Sequence, residues 1–208
     1  MPSSSEILAS LTAIARHGTV VAIAWHVVFA VAIVAVATGW RPTERAVRGA
    51  LAGPLLSVAI FAIGGGTPFN GVVFAAAAIA LVLLGADRDP HEVIAGAPWM
   101  QAIAGALIAY GWVYPHFLAG PALAYVFAAP VGLVPCPTLA IVIGFALLGG
   151  GLGSRAWSLV LAGLGLCYGV FGVVHLGIGL DLGLVAGAIV LAVVAMHPRE
   201  RTSLSVAA

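Results

Sequence analysis

The stretch Ala129-Pro130-Val131-Gly132-Leu133-Val134-Pro135-Cys136-Pro137-Thr138 decides how the rest of the chain is read. It is uncharged and broken by three prolines, with a single cysteine near its end. Apolar sequence lies on both sides of it. In a water-soluble protein such a run would be a surface loop. Flanked by apolar helices, it is a helix break at membrane depth, where irregular backbone is tolerated only against protein or a wet cavity.

Composition supplies the membrane context. Of 208 residues, 62% are hydrophobic and 7% are charged, against about 25% charged in ordinary soluble domains. Mean hydropathy is +1.17. Twenty-seven glycines suit membrane helices whose backbones approach closely. The net charge of +1 forms no basic face, so nucleic acid is not an expected partner; the bilayer is. All eight cations are arginine. Without a lysine amine no retinal Schiff base can form, which excludes a microbial rhodopsin. Two cysteines, Cys136 and Cys167, make no disulfide framework.

Outward from the break, the spans follow in order. Residues 1–18 lack a basic leader. Ser3 and Glu6 have capping-box spacing, and Ile7, Leu8, Leu11 and Ile14 share one helical face, which predicts a short interfacial helix or an extension of the first span. Thr19 to Trp40 is long enough to cross a hydrocarbon core, with Trp40 as an interfacial aromatic. Further spans are predicted over 50–66, 72–86 and 98–114, the last rich in aromatics at its end (Tyr110, Trp112, Tyr114). Asp87-Arg88-Asp89-Pro90-His91-Glu92 reads as a solvent loop. After the break, helices are predicted over 138–151, 156–174 and 182–197.

Residues 115–137 are apolar but punctuated by proline, and the arginines decide their path. If the segment folds in and back, seven spans result. Arg41, Arg45, Arg48, Arg88, Arg155, Arg199 and Arg201 then share one side, and Arg16 stands alone on the other. The positive-inside rule makes the shared side cytoplasmic. The expected fold is therefore an all-α integral protein of the inner (plasma) membrane. It has about seven transmembrane helices and a re-entrant or interfacial segment before the fifth, with the N-terminus outside and the C-terminus in the cytoplasm. Residues 19–197 form one bundle, and 198–208 a cytoplasmic tail.

This topology gathers the scarce polar groups in the outer half: His26, His116, Cys136, Thr138, His175 and Asp181. Ionisable groups inside a membrane are costly and functional suspects by default. With Pro137 as first helical residue, Cys136 would be an N-cap, where the helix dipole favours a thiolate. The plain alternatives are a helix-bonded His26, interfacial roles for His116 and His175, a capping role for Asp181 and a small apolar packing role for Cys136. Gly165 and Gly169, with Gly179, Gly183 and Gly187, give small-xxx-small faces that pack the last helices together or against a homo-oligomeric or membrane-complex partner.

The segment Tyr114-Pro115-His116, the Pro-Cys-Pro-Thr break and the later Leu176-Gly177-Ile178-Gly179-Leu180-Asp181-Leu182-Gly183-Leu184 resemble a bacterial multi-pass membrane family. It is known as a domain of unknown function and is marked by an Ala-Pro-Cys-Pro-Thr helix break. The likeness covers about residues 110–195, with Val134 in place of the alanine before Pro135. It implies the fold and carries no activity.

Three functions are compatible with these residues. One is a transporter- or channel-like protein with an outward-facing pocket for a small solute or ion. Another is a metal- or haem-binding protein or enzyme using His26, His116, Cys136, His175 and Asp181. The third is an accessory subunit of a membrane complex. The sequence has no paired His-x-x-x-His or Cys-x-x-Cys ligand spacing, no legible Ser-His-Asp arrangement around Ser57 and no phosphate-cradling glycine loop.

Overall fold

The computed structural model describes residues 3–84, 92–117 and 121–197. The acidic part of the 87–92 loop, with Arg88 and His91, and the tail from 198 on, with Arg199 and Arg201, lie outside the described residues. The described chain is helical: α1 (Ser4–His17), α2 (Thr19–Ala37), α3 (Glu44–Gly64), α4 (Pro68–Leu83), α5 (Pro98–Val113), α6 (Ala122–Ala128), α7 (Pro135–Leu148), α8 (Arg155–Val174) and, after a 3-10 turn (Gly179–Asp181), α9 (Leu182–Met196).

Among the described residues, four segments are long and apolar enough to cross a membrane: Thr19–Ala37, Glu44–Gly64, Arg155–Val174 and Gly179–Met196. Their outward faces carry bulky apolar side chains, as at Val20, Val27, Val31 and Val34 of α2, Ile60 and Ile63 of α3, and Val174 of α8. A continuous surface of this kind would self-associate in water and is matched by hydrocarbon.

Boundaries follow local chemistry. The Ser3–Glu6 capping box forms, with the Ser3 hydroxyl accepting from the Glu6 N–H and the Glu6 carboxylate accepting from the Ser3 N–H. α4 begins at Pro68 and α5 at Pro98, each supplying the first turn with a residue that has no N–H to leave unpaired. α3 starts at Glu44, six residues before the predicted span, because Thr43 caps it through Ala46. Pro54 lies inside α3 without ending it.

The helix after the break is the hub. From Pro137 to Leu147 every residue of α7 except Phe145 is buried. α5, α8, α9 and α3 surround it. Close approach rests on glycine: a Cβ at Gly111 would stand 2.7 Å from the Pro137 carbonyl oxygen, and one at Gly144 would stand 3.0 Å from that of Ala104. α8 and α9 meet the same way, Gly165 against Ala188 and Gly169 against Val185, while Gly187 seats Leu107 of α5. Gly179 and Gly183 remain on the surface.

Two ends can be distinguished. At one, Thr43 bridges to Glu92 and the Gly96 N–H donates to the Leu148 carbonyl. Arg41, Arg45, Arg48 and Arg155 fall at this end, where α2 ends and α3 and α8 begin, and Arg16 falls at the other. At that other end, which we call the Cys136 end, α5 stops and α7 starts. The chain between them returns through α6 and a buried turn over 129–134.

Candidate functional site

α5 ends on two tyrosines four residues apart, Tyr110 in its last turn and Tyr114 just past Val113 as its C-cap, and both reach the same carboxylate. The Tyr110 hydroxyl donates to Asp181 Oδ1 at 3.0 Å and the Tyr114 hydroxyl to the same oxygen at 2.8 Å. From the first turn of α7, the Cys136 thiol donates to Asp181 Oδ2 at 3.2 Å. Asp181 is 0% exposed. Its carboxylate also lies against Gly172 of α8, where an added Cβ would overlap Oδ2. Four elements therefore converge on one carboxylate, three giving donors or the acid and the fourth giving space.

Local sequence explains each placement. Asp181 holds the N-cap position of α9 but makes no side-chain cap; its oxygens go across the bundle instead. Cys136 is not the N-cap. Val134 is, in extended backbone, and Pro135 opens α7, so Cys136 sits in the first turn. The reason is that Pro135 and Pro137 both tolerate first-turn positions, where N–H groups have no helical acceptor. The turn before them is tied by Thr138, whose hydroxyl donates to the Val134 carbonyl at 2.7 Å and accepts from the Gly132 N–H at 2.8 Å. Gly132, at φ +74, lies against the Trp25 indole where a side chain would collide.

Of the residues expected to share a pocket, Cys136 and Asp181 touch. His116 lies within electrostatic range of Asp181, half-buried, its ring edge-on to Phe117 at 4.5 Å. The other three are engaged elsewhere. Thr138 spends its hydroxyl on the turn. His26 is buried with Nδ1 2.8 Å from the Ala22 carbonyl and Nε2 3.0 Å from the Trp112 carbonyl. The latter is one of the last carbonyls of α5, which has no helical donor of its own. Trp112 continues the strap by donating to Val126 of α6. His175 is exposed, its ring tilted on Phe171 at 4.8 Å, and only its backbone carbonyl is used, accepting from Ser4 Oγ at 2.8 Å.

Beside Cys136 lies a cavity of about 50 Å³, walled by Ile7 and Leu11 of α1, Phe171 of α8 and three polar side chains, Cys136, Asn70 and Tyr168. The Tyr168 hydroxyl donates to Asn70 Oδ1 at 2.9 Å. A larger hollow of about 530 Å³ between α2 and α5 is lined by Ala30, Ile33, Val34, Ile108 and other apolar groups and holds none of the reactive side chains.

The arrangement sets a buried carboxylate among a thiol and two phenols, with no hydrogen-bonded cation among the described residues. Three donors offset part of the cost of burying its charge, and the same oxygens can take up a proton. Among the described residues, no three of His, Cys, Asp and Glu stand together as metal ligands. The sequence reading takes Tyr110 and Tyr114 only as aromatics at the end of a span and assigns no role to Tyr168, Asn70 or Gly172.

Comparison with family models, with curated proteins and with solved structures finds no match to this chain.

Proposed function

We propose that the chain is a seven-span inner-membrane protein, transporter- or channel-like, whose solute or ion is handled at the Asp181 cluster. α4, α5 and α7 are the three shorter crossings beside the four long ones, and the segment between α5 and α7 is the non-crossing return. The reading is supported by α5 stopping and α7 starting at one end of the bundle, and by the separation of Arg16 from Arg41, Arg45, Arg48 and Arg155. By the positive-inside rule the Cys136 end faces outward.

One observation carries the functional part: Asp181 is fully buried and, among the described residues, held by neutral donors from two other helices. A purely structural acid in such a place gains nothing over an apolar residue, whereas a transport site needs a group that binds and releases. Depth adds to this. The 14 residues of α7 rise about 21 Å at about 1.5 Å each, short of a hydrocarbon core of about 30 Å. That shortfall supports a cluster set below the membrane surface at the start of α7, as in transporters whose broken helices end at the substrate.

The test is flux in proteoliposomes with protons, ammonium, formate, urea and glycerol as probes. At least one is expected to cross faster than in protein-free vesicles. Asp181→Asn, with helix content retained, is expected to slow it by about tenfold or more, the equivalent of about 1.4 kcal/mol or more. No accelerated probe, or an Asn variant as fast as the parent, overturns the proposal.

A further inference from the structure

The cavity beside Cys136 is not part of the hydrogen-bonded cluster, yet it shares one wall with it. We propose that it is a water chamber from which protons reach Asp181 by relay, the Cys136 thiol passing its proton to Asp181 Oδ2 as it takes one from chamber water and the reverse on release, and that α1 is its lid; this rests on the reading of Asp181 as the working group.

Size sets the occupant. About 50 Å³ exceeds the roughly 10–15 Å³ that one water requires, and a buried water needs two to four polar partners. Cys136, Tyr168 and Asn70 supply them. The volume admits water or hydronium and refuses solutes of more than a few heavy atoms. Asn70 and Tyr168, joined at 2.9 Å, extend the polar line from Cys136 across to α4 and α8.

The lid follows from how α1 is attached. Its last turns are pinned: Ile14 packs onto Gly65, and Gly18, between α1 and α2, fits against Leu133 and Phe61. Its first turns meet the bundle differently. Ile7 and Leu11 press on the cavity, and the Ser4 hydroxyl donates to the His175 carbonyl at 2.8 Å, a single bond across the whole chain. Lifting the first turns breaks that bond and withdraws two apolar walls, while the pinned end stays in place.

The experiment uses the full chain in liposomes with Cys167→Ser, which leaves Cys136 as the sole thiol. Transfer to heavy water, followed by the infrared S–H to S–D change, reads water access. Methyl methanethiosulfonate, small and neutral but larger than water, reads lid opening through covalent modification of the thiol. The parent is expected to exchange S–H for S–D within minutes while resisting the reagent. Ser4→Ala is expected to raise the modification rate several-fold and Leu11→Ala by about tenfold, the factor given by about 1.4 kcal/mol of lost closure. Ser4→Ala changes an exposed hydroxyl and reports even if Leu11→Ala fails to fold. An S–H band that survives hours in heavy water overturns the chamber. Modification rates unchanged by Ser4→Ala, and by Leu11→Ala where it folds, overturn the lid. Both readouts work without any transported solute, so a failed flux assay with an exchanging, lid-protected thiol rejects the transport reading alone.

Discussion

Gly172→Ala is expected to be the most damaging small substitution in α8, because the new methyl would occupy the space of the Asp181 carboxylate. Overpacking of that kind costs about 1–3 kcal/mol, and here it also pushes Asp181 off its donors. Gly163→Ala is the control: open space surrounds it, and helix propensity alone favours alanine by up to about 1 kcal/mol. Thermal unfolding in detergent should separate the two in opposite directions. The donors differ too. Tyr114 is buried and Tyr110 half-buried, so Tyr114→Phe should cost more than Tyr110→Phe, within the range of about 1.5–3 kcal/mol for hydrogen bonds to charged groups. At this scale the sequence was partly legible. Cys136, His116 and Asp181 stand out because reactive side chains are scarce in apolar helices. The tyrosines do not, because tyrosine at the end of a span is ordinary interfacial chemistry. Their four-residue spacing on one face was the available signal. Thr138 and His26 are instead bonded to carbonyls four residues back on their own helices, a use of a polar side chain that leaves no mark in the sequence pattern.

At the scale of elements, the turn before α7 holds the site in register. Thr138→Val removes the acceptor of a buried Gly132 N–H and the donor to Val134. An unsatisfied buried donor costs about 1–3 kcal/mol, so a stability loss of that size is expected, with the Cys136 thiol displaced from Asp181. A Thr138→Ser variant keeps both bonds and should stay near the parent. α1 is held by its own cap: the Ser3 backbone and hydroxyl bonds draw the Glu6 carboxyl below its ordinary range. That contribution is present above the unfolded glutamate value and fades as pH falls through the lower folded value, so acid should loosen α1 before the bundle. Helix existence was readable from apolar runs, and the Ser3–Glu6 box from spacing. The start of α7 was not, because Pro-Cys-Pro permits a first turn beginning at either proline, and packing of Val134 in the core chose the earlier one.

At the scale of the molecule, the described residues combine four long apolar helices, a central short one and a buried polar cluster around Asp181. The proposed seven crossings would put the termini on opposite sides. A reporter active only in the cytoplasm should work when fused to the C-terminus, and one active only outside should not; the reverse pattern would invert or break the topology. The apolar character was evident from composition. The convergence on Asp181 was not, because it depends on three contacts between residues 45 to 71 positions apart, and nothing in local sequence encodes which helices are neighbours. That convergence is tested most directly by a double-mutant cycle on unfolding free energy in detergent, pairing Asp181→Asn with Tyr114→Phe and, separately, with Cys136→Ala. The result expected is a coupling of about 0.5–2 kcal/mol for each pair, the scale of hydrogen bonds between membrane helices. Additive losses, with coupling near zero in both cycles, would contradict it.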